Sequence, residues 1–105
     1  MPAIALGEGQ SQVFSKTGTG NNCNFSVITT TDESSSKVTI GGFGVVREGD
    51  RVASHSASGC GVDTSVITSY SSKVSVEGRG VARIGDEYTS DNIIISGSSK
   101  VFIGV

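Results

Sequence analysis

Three side chains in this sequence have the chemistry of transition-metal ligands. Cys23 and Cys60 are the two cysteines of the 105-residue chain, and His55 is its one histidine. Thiolate sulfur and imidazole nitrogen are the ligands that Zn²⁺ prefers in four-coordinate sites, and zinc needs no redox partner. Iron is the second metal that such ligands accept. These residues predict a metal site, provided that the fold brings them together.

The same residues fit three other arrangements. Both thiols could be buried and unliganded with His55 in solvent, or Cys23 and Cys60 could form a disulfide bond. Disulfide bonds are rare in proteins that stay in a reducing cytoplasm. His55 lies five residues before Cys60, so the two could be the base and nucleophile of a thiol hydrolase. The short Gly- and Ser-containing stretch around them indicates no cleft, so hydrolysis is the weakest interpretation.

The elements that hold these residues follow from a repeated phrase. Its copies are SSKVTIGGFGVVREGD at 35–50, SSKVSVEGRGVARIGD at 71–86 and SSKVFIG at 98–104. A unit of this length cannot bury its apolar face alone, so repeated units share one core. Apolar residues alternate with others at the start of each copy, as in half-buried strands, and sustained helical spacing is absent. We therefore predict an all-β fold, with residues 1–105 in a single domain.

Glycine-containing pairs predict where the chain turns. Gly41-Gly42 and Glu77-Gly78 lie between the two strands expected in each unit, where two-residue turns need positive φ. The third copy stops before its second strand, and residues 5–9 (ALGEG) resemble the missing half. We therefore expect residues 3–6 to pair with residues 100–103. This pairing makes three similar hairpins, one of them split across the termini.

Longer connections at 10–26, 51–64 and 87–92 link the predicted hairpins. Asp91 is the best candidate for a fourth ligand, because carboxylate oxygen also binds zinc, and a water molecule is the alternative. The predicted metal ligands all fall in these connections: Cys23 in the first, His55 and Cys60 in the second, and Asp91 in the third.

A short apolar phrase follows each connection. It reads SVIT at 26–29 and again at 65–68, and residues 92–96 (NIIIS) are its counterpart in the third unit. Runs of β-branched residues between turn-forming residues indicate strands. Each unit is therefore predicted to contain a loop, a short strand and a hairpin.

Repeated charged residues predict structural roles. Arg47 and Asp50 of one unit recur as Arg83 and Asp86 of the next. A reaction needs one site, whereas every unit can use the same turn, so we assign these residues to turns and salt bridges. Glu77 is expected on a solvated face. The formal net charge of −2, without a basic cluster, argues against nucleic acid as a partner.

The ordered phrase resembles that of the PAAR-repeat proteins, which cap the spikes of contractile phage tails and type VI secretion systems. The family phrase is roughly G-S-x-x-V-x-I-N-G-x-P-A-A-R-x-G-D, followed by loops with His and Cys. Residues 44–47 (GVVR) and 80–83 (GVAR) stand where that family has Pro-Ala-Ala-Arg. The matches in this chain are SSKV at 35–38 through Arg47 and Gly49-Asp50, SSKV at 71–74 through Arg83 and Gly85-Asp86, and GSSKVFIG at 97–104.

The resemblance implies a small cone with approximate threefold symmetry and no catalytic activity. One chain would cap one trimeric β-helical spike through a base of three hairpins. The loops would converge at a vertex held by zinc, or alternatively iron, and His55 lies at the family's usual distance after Gly49-Asp50. The expected contact face comprises Val38, Ile40, Val74, Val76, Val101 and Ile103.

The same resemblance implies where the protein works. It would be made in a bacterial cytoplasm, since the N terminus has no basic leader and the chain has no apolar run of membrane-spanning length. It would then reach a phage tail tip or a secreted injection spike, and would contact the target membrane only transiently. The alternative function is a small secreted or surface β-domain that binds a ligand or carbohydrate.

Overall fold

The computed structural model describes residues 2–16, 26–55, 61, 65–89 and 92–103, which contain β-strands and no helix. All strand pairs are antiparallel, so the all-β prediction is confirmed. In this described part, no helix is long and apolar enough to cross a membrane. The strands are β1 (Gln12–Lys16), β2 (Ser26–Thr30), β3 (Thr39–Ile40), β4 (Phe43–Gly44), β5 (Ser75–Val76), β6 (Arg79–Gly80), β7 (Glu87–Tyr88) and β8 (Asn92–Ile94).

Two tight hairpins form where the glycine-containing pairs predict them. Strands β3 and β4 pair on either side of Gly41 and Gly42, whose φ angles are 61° and 89°. Strands β5 and β6 pair on either side of Glu77 and Gly78, with φ angles of 56° and 77°. Two successive positive φ angles are typical of the turn that matches the twist of a two-residue hairpin. The other strands form one sheet in the order β2-β1-β8-β7.

The two ends of the chain pair with each other. Ala3 forms an antiparallel bridge with Phe102. The N–H of Ile4 donates to the carbonyl of Val101 at 3.0 Å, and the N–H of Ile103 donates to the carbonyl of Pro2 at 2.9 Å. This is the pairing that the truncated third copy of the phrase predicts.

Three short segments, which we call the ring segments, meet edge to edge. Their residues are 3–7, 44–48 and 80–84. The N–H of Ala5 donates to the carbonyl of Ala82 at 3.0 Å, and the N–H of Ala82 donates to the carbonyl of Val46 at 2.9 Å. The N–H of Val46 donates to the carbonyl of Ala5 at 3.1 Å, which closes the cycle. A closed cycle leaves these segments no unpaired edge toward one another.

A serine begins each copy of the repeated phrase and makes the same local hydrogen bonds in all three. The side-chain oxygen accepts from the backbone N–H groups two and three residues further on, and this arrangement fixes the bend after each serine. The serines are Ser35, which accepts from Lys37 and Val38, Ser71, which accepts from Lys73 and Val74, and Ser98, which accepts from Lys100 and Val101. The repeated SSKV phrase thus encodes one bend three times.

The ring segments separate two groups of buried apolar side chains, because successive side chains of an extended segment point to opposite sides. Ala5 belongs to one group, and its neighbours Ile4 and Leu6 belong to the other. The first, the inner core, contains Ala5, Val13, Val46, Val52, Ile67, Ala82, Tyr88 and Ile94. The second, the apolar layer, contains Ile4, Leu6, Val45, Val81 and Ile103, with Ile40, Phe43, Val76 and Val101 packed against it.

The two copies of SVIT occupy different surroundings. Ile67 is 2% exposed in the inner core, whereas Ile28 is 54% exposed on strand β2. Thr31 is the residue that takes the place of Ile67, since its N–H donates to the carbonyl of Ser11 as that of Ile67 donates to Asp50. The first copy forms strand β2 as predicted, whereas in the second copy Val66 and Ile67 form only isolated bridges, so the same four letters do not give the same structure.

Candidate functional site

One of the four predicted metal ligands lies in the described part of the chain. That residue is His55, while Cys23, Cys60 and Asp91 lie outside the described residues. Among the residues that the structure describes, no group of three or more His, Cys, Asp or Glu side chains could hold a metal ion. The metal site therefore stays a prediction, and His55 is the ligand whose surroundings can be examined.

Both ring nitrogens of His55 have polar neighbours. Nδ1 lies 2.9 Å from the carbonyl oxygen of Ala53, and Nε2 lies 2.9 Å from Oγ of Ser15. A carbonyl oxygen only accepts hydrogen bonds, so Nδ1 carries a hydrogen. Histidines that bind metals usually donate one ring N–H to such an acceptor and coordinate through the other nitrogen. His55 fits this pattern with Nε2 as the ligand atom, and coordination would replace its contact with Ser15.

His55 belongs to a cluster of polar residues, which we call the polar cluster: Ser15, His55, Ser65, Thr89 and Asn92. The amide nitrogen of Asn92 donates to Oγ of Ser65 at 3.0 Å and to the carbonyl oxygen of Thr89 at 3.1 Å. The amide oxygen of Asn92 accepts from the hydroxyl of Ser15. These residues lie close to the ends of the described segments, beside residues 17–25, 56–60, 62–64 and 90–91. Along the sequence, the polar cluster therefore adjoins the segments that contain Cys23, Cys60 and Asp91.

The Ser15–His55 contact has the atoms of a nucleophile and its base, but its geometry does not suit catalysis. A catalytic serine must reach its substrate and give its proton to the base. Ser15 is 3% exposed, and its hydroxyl donates to Asn92. This arrangement fits a structural hydrogen-bond network. The Cys60–His55 pair of the thiol-hydrolase interpretation lies partly outside the described residues.

Four of the six residues predicted to contact a partner lie in or against the apolar layer. Ile40, Val76 and Val101 are half-buried against it, and Ile103 is one of its buried members at 7% exposure. Val38 and Val74 are exposed, at 41% and 39%. Ile103 therefore offers little surface of its own, while Val38 and Val74 offer the most.

The Arg-Asp pairs occupy the turns to which the sequence assigns them. Nε and Nη2 of Arg47 donate to the two carboxylate oxygens of Asp50, and Arg83 binds Asp86 in the same way. The hydrogen bond to Asp50 raises the pKa of Arg47 above its usual value. The prediction of turn and salt-bridge roles is confirmed. In the N-terminal segment Ser11 acts in place of aspartate, and its Oγ accepts from the N–H of Leu6 at 2.9 Å.

Glu77 is exposed, in agreement with the solvated face expected for it, but sequence reasoning missed the polar network around its carboxylate. The hydroxyl of Ser35 donates to Oε1 of Glu77, and Nη1 of Arg47 donates to the same atom at 2.9 Å. The Ser35 hydrogen bond and then the positive charge of Arg47 lower the pKa of Glu77. Arg79 extends the network, because its Nη2 lies 2.9 Å from the buried carboxylate of Asp50. No signal in the repeated phrase marks Glu77, which stands where the preceding copy has glycine.

Comparison with known proteins adds no relative to this description. No protein-family model matches the chain, and no curated protein sequence matches it.

Proposed function

We propose that this protein is a PAAR-like spike tip, which caps a trimeric β-helical spike of a contractile injection machine and sharpens it for membrane puncture. The observation that carries the proposal is the cyclic hydrogen bonding of Ala5, Val46 and Ala82. One chain that presents three equivalent segments around a closed cycle matches the symmetry of a trimer. Both a phage tail and a type VI secretion spike provide such a trimer.

A conical arrangement of three repeats with approximate threefold symmetry is part of this proposal. A second set of hydrogen bonds supports it, because Gly7, Glu48 and Ile84 donate in turn to the carbonyls of Gly44, Gly80 and Ala3. The principal extents of 38, 24 and 23 Å, one long and two nearly equal, fit an object built around one axis. On this view the paired chain ends are a third hairpin, split across the termini.

The proposed base is the surface next to the apolar layer. It would use Val38, Ile40, Val74, Val76 and Val101, with Ile103 supporting them from within. The fully buried centre of an interface is its most apolar part, and the few residues that contribute most of the binding energy cluster there. The polar cluster includes Ser15 of β1 and Asn92 of β8. Val13 and Ile94 of the same strands belong to the inner core and not to the apolar layer. The proposed vertex would therefore point away from the spike.

A charged substitution at the proposed base is expected to weaken spike binding strongly. Val74→Asp places an uncompensated carboxylate in the contact face, which costs at least about 2 kcal/mol or a thirtyfold loss of affinity. We would measure binding to a recombinant trimeric spike from the same genome by calorimetry, expecting one chain per trimer. Ile95→Asp is the matched control, since Ile95 is similarly exposed at 42% but lies beside strand β1. Equal binding by wild type and a folded Val74→Asp variant would exclude this face.

Removal of the thiols is expected to remove the metal. The proposed ligands are Cys23, His55 and Cys60, with Asp91 or water as the fourth, and zinc is preferred to iron. Elemental analysis should give about one metal per chain, lost in the double variant Cys23→Ser, Cys60→Ser together with part of the thermal stability. Ser15→Ala is the control, because it removes the Nε2 contact of His55 and the hydrogen bond to Asn92 but none of the proposed metal ligands. Metal-free native protein, with wild-type melting of the double variant, would end the metal proposal.

A further inference from the structure

Two boundaries between neighbouring hairpins have the same backbone arrangement but different side chains. The first boundary lies between residues 35–44 and 71–80, and the second lies between the paired chain ends and residues 35–44. Antiparallel bridges cross both, Arg47 to Val81 at the first and Leu6 to Val45 at the second. Two residue types are the same at both boundaries, since Ser98 and Lys100 of the second correspond to Ser35 and Lys37 of the first. Three differ: the second boundary has Leu6 in place of Arg47, Gly41 in place of Glu77 and Phe43 in place of Arg79.

The first boundary is filled by a carboxylate of the chain itself. Glu77 accepts from the hydroxyl of Ser35 and from Nη1 of Arg47. Its pKa is lowered by that Ser35 hydrogen bond, with smaller contributions that include the charge of Lys37. The boundary therefore shows how this fold holds a carboxylate beside the serine that begins a copy of the repeated phrase.

The second boundary is an open groove of about 320 Å³. Leu6, Ile40 and Phe43 form its apolar lining, and Ser98 and Lys100 form a polar side. Gly41 contributes no side chain where Glu77 fills the first boundary. Oγ of Ser98 accepts from the N–H groups of Lys100 and Val101, as Oγ of Ser35 accepts from Lys37 and Val38. Its hydroxyl hydrogen is then available to an acceptor in the groove.

We propose that this groove binds an acidic side chain of a partner protein, presented beside an apolar residue. The carboxylate would accept from the Ser98 hydroxyl and pair with the Lys100 ammonium, in the position that the Glu77 carboxylate takes at the first boundary. The apolar neighbour would pack on Leu6, Ile40 and Phe43. Two observations favour an acidic side chain: the positive charge of Lys100 in the groove, and the Glu77 carboxylate at the equivalent place of the first boundary. The inference does not depend on the proposed spike function.

The direct test uses two blocked dipeptides and the amide NMR spectrum of the whole chain. Acetyl-Leu-Glu-amide carries the carboxylate, and acetyl-Leu-Gln-amide is its neutral match. We expect shifts confined to the groove, with the Glu peptide binding about fivefold more tightly. Lys100→Gln should remove that difference, whereas Lys73→Gln, at the equivalent position outside the groove, should preserve it. Equal affinities of the two peptides, or no groove shifts up to about 10 mM of either, would overturn the proposal.

A second test supplies the carboxylate from the chain itself. Gly41 has φ of 61°, close to the 56° of Glu77, and a Cβ built there meets no atom within 4 Å. Gly41→Glu should therefore place its carboxylate by Ser98 and Lys100, melt at a higher temperature than Gly41→Gln and lose binding of the Glu peptide. Identical melting of the two variants, with peptide binding retained by both, would overturn the proposal independently of the peptide affinities.

Discussion

Deletion of residues 101–105 is expected to destabilise the whole domain instead of trimming a tail. The deletion removes the side chain of Ile103, which is 7% exposed in the apolar layer. Loss of a buried side chain of this size costs about 2–5 kcal/mol. It also removes the hydrogen bonds of Val101 and Ile103 to Ile4 and Pro2, each worth about 1 kcal/mol. Domains of this size have a total stability of about 5–15 kcal/mol, so the expected loss is a large part of the free energy of unfolding.

Thermal and urea unfolding of the truncated chain would measure this loss. Phe102→Ser is the matched control in the same segment, because Phe102 is 48% exposed and its replacement should change stability by less than about 1 kcal/mol. A truncated protein with the thermal midpoint of the full chain would show that pairing of the chain ends does not support the fold.

The second large effect is expected at Asp50. This carboxylate is 2% exposed, accepts from the N–H of Arg47 at 2.8 Å and binds the guanidinium groups of Arg47 and Arg79. Asp50→Asn removes the charge that both arginines share and turns an amide group toward their N–H donors. Breaking a buried ion pair costs about 3–5 kcal/mol, and partial exposure of Arg79 favours the lower end of that range.

Asp86→Asn is the internal comparison for Asp50→Asn. Asp86 occupies the same turn one unit later, but the described structure records one arginine beside it, Arg83. We expect the loss of unfolding free energy in urea to be about half as large as for Asp50→Asn. Losses of equal size would mean that Arg79 contributes nothing to the Asp50 site.

The polar cluster could be predicted only in part. The sequence indicated that His55 lies in a connection between strands, and connections are where binding residues are most often found. Its contact with Ser15 could not be predicted, since the sequence indicated a connection at 10–26 and the structure places Ser15 in strand β1. That contact depends on how strands β1 and β8 bring Ser15 and Asn92 beside residue 55.

The features that the sequence determined by itself are local. The positive φ angles at Gly41-Gly42 and Glu77-Gly78 and the bends at Ser35, Ser71 and Ser98 depend on residues within a few positions of each other. Such preferences follow from the steric freedom of glycine and from the short reach of a serine side chain. The sequence therefore determined where the hairpins β3-β4 and β5-β6 turn and where the three bends form.

Tertiary structure decided which repeated residues are equivalent. SVIT occurs twice, yet Ile67 is buried and Ile28 is exposed, because Thr31 takes the core position in the first unit and its hydroxyl donates to the carbonyl of Leu6. Likewise, Glu77 and Gly41 occupy the same turn position, but one fills a boundary and the other leaves a groove. The physical reason is that burial and long-range hydrogen bonds depend on the segments that meet in space, and repeated letters carry no information about the neighbour across the boundary.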